Sequence, residues 1–373
     1  LSNARREWLP QLSLAAQATW QTAVPAFPDA LTGMLTQYGV GMPGMNKDQY
    51  KVQLEVTQTI WDGGSTRSAR ALTRAEAIAN REQLESELYA LNDRVNQIYF
   101  GCLLQDELIR QNALLQKELQ VNIEHIKAMM DNGVANQSDL ESMEVELLNA
   151  RQNEIELRAS RTVYRQMLAT FINKPLTDQV VLKTPESPER SLSTQINRPE
   201  LRALDAKSEW IETQNKQVTA GLMPRIGAFV QGGYGRPGLN MLEDSFEPYY
   251  VAGVRLSWNL GKLYTLKNDR RKIEVSRRQI DVQRETFLFN TRLQLLQQNT
   301  EIKKMTDLMR ADDDIIRLRT SIKQAAEVKL ENGVISVTDL IREINAEDMA
   351  RQTAAAHRVQ RLMTIYNYMY TTN

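Results

Sequence analysis

The sequence has one cysteine and two histidines in 373 residues, too few for the chemistry those side chains usually carry. Cys102 has no partner for an internal disulfide, and with only His125 and His357 beside it a Cys/His metal site lacks ligands. No apolar run approaches the roughly 18 residues that a membrane-spanning helix needs, although a barrel strand needs only about 10 alternating ones. Net charge is absent as well. The 46 basic and 46 acidic residues leave no basic field for nucleic acid and no acidic tail. Proline is missing between Pro43 and Pro175, so the strongest helix breaker is absent from a long continuous stretch. No grouping of nucleophile, base and orienting residue is present, so the chain is not expected to be an enzyme or to need a cofactor. Asp312-Asp313-Asp314 reads as a solvated helix face rather than a metal site, and His125 and His357 read as surface or packing residues. Gly232-Gly233-Tyr234-Gly235 lacks the Gly-Lys-Ser/Thr ending of a phosphate loop. The chain begins at Leu1 without Met, n-region or apolar h-region, so any signal peptide is expected to be gone already.

What is present is a repeat. Asn132-Gly133-Val134-Ala135-Asn136-Gln137-Ser138-Asp139-Leu140 returns as Asn332-Gly333-Val334-Ile335-Ser336-Val337-Thr338-Asp339-Leu340, and Ala150-Arg151-Gln152 matches Ala350-Arg351-Gln352 at the same offset. In each copy a Gly that can take a positive φ ends one helix, and a Ser or Thr followed by Asp can cap the next. Each copy is therefore the turn of a helical hairpin, and the chain reads as two duplicated units.

The first unit covers 1–196. It has strands at about 11–21 and 50–61, where Leu12, Leu14, Ala16 and Ala18, then Val52, Leu54 and Val56, alternate with polar residues. Between them, Gln21 to Gln49 is rich in Pro and Gly and reads as a long loop. A helical hairpin at about 65–172 follows, its first helix carrying Leu84, Leu88, Leu91, Val95, Ile98 and Cys102 at coiled-coil spacing and extending about 95 Å. Its second helix points Leu140, Met143 and Leu147 inward, and a connector fills 173–196. The second unit, 197–373, opens at Asn197-Arg198-Pro199-Glu200-Leu201 with a helix at about 198–221. Strands at about 224–234 and 249–259 and a helical hairpin at about 262–372 complete it, with Leu288, Leu295, Ile302, Met309 and Ile316 at heptad steps. A helix stands before Met223-Pro224-Arg225-Ile226, so its counterpart before Leu9-Pro10-Gln11-Leu12 is expected to be cut short at Leu1.

Four strands with one apolar and one polar face make a poor soluble sheet when both edges are free. Closure cures this. Two chains give about eight strands with a filled interior, and three give about twelve with a lumen. Lys51, Glu55, Arg225 and Arg255 on the polar faces suit a water-filled lumen, and Trp20, Trp61, Tyr234, Tyr249 and Trp258 near strand ends suit an aromatic girdle. The competing reading is a soluble coiled-coil scaffold whose hairpins merely link rods.

The paired turns, the Asn-Arg-Pro-Glu-Leu opening, the Leu-Pro-Gln-Leu and Met-Pro-Arg-Ile strand starts and the order of hairpins resemble the TolC-like outer membrane factor family along essentially the whole chain. The resemblance implies a mixed, mainly α fold: a trimeric outer-membrane β-barrel of twelve strands, four per chain, continued by a long periplasmic α-helical coiled-coil barrel. It implies a Gram-negative outer membrane and a passive exit duct for a tripartite efflux pump or a type I secretion system. The partners implied are two further copies of the chain, outer-membrane lipid, a periplasmic adaptor and, through it, an inner-membrane transporter. Carried onto this chain, Asn132, Gly133, Val134, Ser138, Asp139 and Leu140, with Asn332, Gly333, Val334, Thr338, Asp339 and Leu340, would be the adaptor-contacting tip turns. Asp139 and Asp339 would line the constriction, where three copies of each make an acidic ring. The family often has an aromatic and an arginine around the second turn. Here those positions are Leu330 and Ile335, with Lys329, Glu331 and Arg342 as substitutes by proximity.

Overall fold

In the computed structural model the described residues are 8–24, 28–39, 46–177, 180–187, 194–240 and 243–373. The shortened helix expected at Leu1 lies outside them, as do parts of the loop and connector. Alternating sequence becomes β1 (Gln11–Trp20) and β2 (Asp48–Trp61), and later β3 (Arg225–Arg236) and β4 (Glu247–Ser257). They form one antiparallel meander in the order β1-β2-β3-β4, with Leu14 opposite Leu54, Val56 opposite Val230 and Ala228 opposite Val254. A register shift between Thr59 and Trp61 loosens the pairing of β2 with β3 at its end.

The stretch between β1 and β2 is not all loop. Asp29–Gln37 forms a helix, α1, entered through Pro28, whose carbonyl accepts from the Leu31 amide at 2.9 Å. Proline before a helix needs no amide partner of its own, so the residue that suggested a break marks a start.

The Pro-free stretch becomes α2 (Ser65–Asp131) and α3 (Gln137–Ile172); α4 (Pro199–Ala220), α5 (Lys262–Glu331) and α6 (Val337–Thr372) complete the helices. Asp62 starts α2 by accepting from the amides of Gly64 and Thr66 at 2.9 and 2.6 Å. Gly63 precedes it at φ +67°, where a Cβ would fall 2.3 Å from that of Met223, so both the angle and the contact demand glycine.

The chain divides into two compact units, one from residues 1–81 and 203–283, the other from 82–202 and 284–373, each drawing on both sequence repeats. In the first, Ile211 of α4 packs with Ile273 and Ile280 of α5. Among the described residues no layer covers its sheet. Leu14 is 72% exposed, Tyr250 80% and Val254 71%. In the second unit Leu119, Ile126, Met143, Leu340 and Ile344 form the main core around the two helix turns. Ile98, Cys102 and Leu168 form another, against which Leu176 and Leu182 of the connector pack. The buried Arg165 ties down that connector by donating to the carbonyls of Thr177 and Val180 at 2.7 Å each. The expected seam on α2 is split: Ile98 and Cys102 are buried, whereas Leu84, Leu88 and Leu91 are exposed.

Candidate functional site

Both helical turns are built alike. Gly133 (φ +72°) and Gly333 (φ +67°) donate to the carbonyls of Met130 and Leu330, and Val134 and Val334 reach back to Met129 and Lys329. This double closure satisfies helix-end carbonyls and requires the left-handed glycine. The next helix starts two residues earlier than Ser138 and Thr338 suggest: the N-caps are Asn136 and Ser336. Asp139 and Asp339 sit three residues on and complete capping boxes, accepting from the cap amides at 3.1 and 3.2 Å. The bonds from the Ser336 side chain and backbone hold the Asp339 carboxyl below the usual carboxylate range. Arg342 stands 3.6 Å from Asp339 and 3.3 Å from Glu343, and Glu331 lies 3.9 Å from His125. Leu330 is buried and Ile335 packs against the core, so these two positions serve packing and not a polar lock.

Above the turns in sequence, sequence reading missed a polar cluster. Glu347 is buried and accepts from Lys323 at 2.7 Å, and from Arg351 and Thr320 at 2.5 Å each; Lys323 also bonds Glu118. Burial opposes ionisation of Glu347, but these donors hold its carboxyl down at about 2. Beside it, burial together with Glu118 and Glu347 pushes Asp348 up to about 6 against a bond from Gln352. A raised carboxyl favours the folded state at low pH and opposes it as pH climbs from about 4 to 6. Asp348→Asn is therefore expected to raise stability at pH 7 by on the order of 1 kcal/mol, with the gain vanishing below about pH 4; melting curves at both pH values check it. A readable signal existed, because Glu347 interrupts the buried series Leu340, Ile344, Ala354.

Another reading changes, and a second buried charge comes to light. Asp312 is buried and bonds His357 Nδ1 at 2.7 Å, so only Asp313 and Asp314 keep the solvated face expected of the acidic run. Arg198, in the opening motif of the second unit, is buried between the rings of Tyr89, Tyr370 and Phe287 and pairs with Glu200.

On the sheet, Lys51, Glu55 and Arg255 share the polar face: Arg255 is 3.8 Å from Glu55 and over the Phe229 ring, and Lys51 lies over the Tyr249 ring. Arg225 stands at the sheet end, bonding Ser65 at 3.3 Å. The pairing of Tyr249 with Gly233 sets it on this polar face, so it does not join Trp20 and Tyr234; Tyr250, paired with Gly232, takes the apolar side. Trp258 donates to the Leu222 carbonyl at 2.9 Å.

Residues 2–174 match a family model described as outer membrane efflux protein. The match lies within the first repeat and covers a little under half of the chain. Solved structures share the fold across its length. The outer membrane protein VceC from Vibrio cholerae is 13% identical with a TM-score of 0.70, covering 99% of this chain and 88% of its own. The outer-membrane channel OprN is 14% identical at 0.72, covering 100% and 82%. The open state of the MtrE channel from Neisseria gonorrhoeae is 16% identical at 0.70, covering 100% and 82%. No curated protein sequence gives a significant match. At these identities the solved structures show a shared fold, which does not favour the scaffold alternative.

Proposed function

We propose that three copies of this chain close a twelve-stranded barrel and join their helical hairpins into a periplasmic tunnel, forming the passive exit duct of a tripartite efflux pump or a type I secretion system. The observation that carries the reading is the sheet, whose apolar face is bare and whose outer strands β1 and β4 each lack a neighbour on one side among the described residues. Three such sheets satisfy every edge and leave a lumen. Lys51, Glu55, Arg225 and Arg255 then face water, and Trp20, Trp61, Tyr234 and Trp258, with Tyr250 replacing Tyr249, mark the girdle. Exposed Leu84, Leu88 and Leu91 on α2, and Val275, Val282 and Phe289 on α5, supply apolar surface for the other copies. The duplicated halves 1–196 and 197–373 give pseudo-sixfold wall elements, and the turns at Asn132–Leu140 and Asn332–Leu340 meet an adaptor that links to an inner-membrane transporter. Asp139 and Asp339 do two jobs in this reading, capping a helix and lining the constriction.

Light scattering with the detergent contribution subtracted is expected to return the mass of a trimer, and planar bilayers a small conductance. Asp139→Ala combined with Asp339→Ala is expected to raise that conductance roughly twofold or more by removing the acidic ring. A monomer or dimer with no conductance would overturn the duct.

A further inference from the structure

The charges of this neutral chain are unevenly partnered. Along α5 beyond its fourth turn, basic residues pair locally: Arg278 with Glu274, Lys304 with Glu301, Arg310 with Asp307 and Arg317 with Asp314. In the first turns after the strands the pattern differs. Arg67, Arg70 and Arg74 of α2 and Lys262, Lys267, Arg270 and Arg271 of α5 are exposed, and none has a carboxylate partner among the described residues. Arg67, Arg70 and Arg74 follow steps of three and four and so share one helix face. Two clefts of about 600 Å³ flank the end of α4 in the same unit. One holds Arg67 and Lys216 beside Met223, the other Lys262 and Lys272 beside Leu222, with Asp269 as its one carboxylate. Asp62 already occupies the amides at the start of α2, so the positive charge on offer comes from side chains.

We propose that these basic turns and the two clefts bind the anionic headgroups of phospholipids in the periplasm-facing leaflet. The inference rests on the barrel reading, which puts the strands in the bilayer and these turns directly beneath it. At 1.5 Å per residue the turns reach about 14 Å from the helix starts, spanning the headgroup layer and little more than a Debye length of about 8 Å. The apolar and aromatic residues at the junction, with Trp258, Leu260, Leu263 and Tyr264 all exposed, lie next to the basic residues in sequence. Such a combination of rings and cations suits a lipid interface, with acyl chains against the sheet and a phosphodiester in the cleft.

The test is native mass spectrometry of the detergent-extracted full chain titrated with phosphatidylglycerol or phosphatidylcholine, with inorganic phosphate as competitor. Phosphatidylglycerol is expected to bind preferentially, and Arg67→Gln with Lys216→Gln, or Lys262→Gln with Lys272→Gln, to reduce that preference about fivefold per removed charge. Arg310→Gln, exposed and locally paired, serves as the control and should leave the preference intact. Equal binding of both lipids, an unchanged preference in both cleft variants, or full displacement by millimolar phosphate overturns the lipid site. Failure of the barrel itself reads differently, as a protein that neither enters membranes nor conducts. A conducting trimer without lipid preference removes only the present inference.

Discussion

Glu347→Ala is expected to cost about 3–5 kcal/mol, the loss that follows when one member of a buried charge group is removed and the others stay. The carboxylate is 3% exposed and neutralises both Lys323, itself 13% exposed, and Arg351. Without it Lys323 keeps its bond to Glu118, and Arg351 loses its buried partner. Thermal loss of helical signal in detergent should begin on the order of 5–10 °C earlier at pH 7. Linkage gives the pH dependence. Because the folded carboxyl is held at about 2 against an ordinary 4.5, its contribution is complete above about pH 4.5 and is lost as pH falls through 2. Wild type and variant should therefore converge in acid. Glu347→Gln, which keeps the volume and one acceptor for Thr320, should lose less. An unchanged melting point at pH 7 would show that the cluster is solvated and contributes nothing.

That cluster also marks the limit of what the sequence discloses. Periodic features were legible because their cause is local: alternation made β1 and β2, the missing prolines allowed α2, and Gly133 and Gly333 ended helices through their own backbone freedom. Pairings across long separations were not legible, since Lys323 meets Glu118 across 205 positions and His357 meets Asp312 across 45. Arg198 is the same case, because nothing near it in sequence announces Tyr89, Phe287 and Tyr370. Two readings failed on smaller margins. Tyr249 missed its face by a single residue, which in a strand exchanges one side for the other. The cap moved from Ser138 to Asn136 because an Asp three residues after an Asn completes a reciprocal pair of bonds that an Asp at the cap itself cannot make.

The sensitivity of a strand to one residue also yields a sharp test of the barrel. Leu14 lies near the middle of β1 on the apolar face, opposite Leu54, whereas Ser13 faces the other way, opposite Glu55. Leu14→Arg puts a guanidinium toward lipid, at about 2–4 kcal/mol per chain near the bilayer midplane, or roughly 6–12 kcal/mol over three copies. Assembled trimer in the outer-membrane fraction, resolved by unheated electrophoresis, should fall to a trace. Ser13→Arg places the same side chain and charge one position away, into the polar face beside a carboxylate, and should assemble at close to the wild-type level. The two variants share the strand, the introduced side chain and the net charge, so their difference isolates the face. Equal tolerance of both, or equal failure, would mean that the bare apolar face does not meet lipid, and the closed barrel would fall with it.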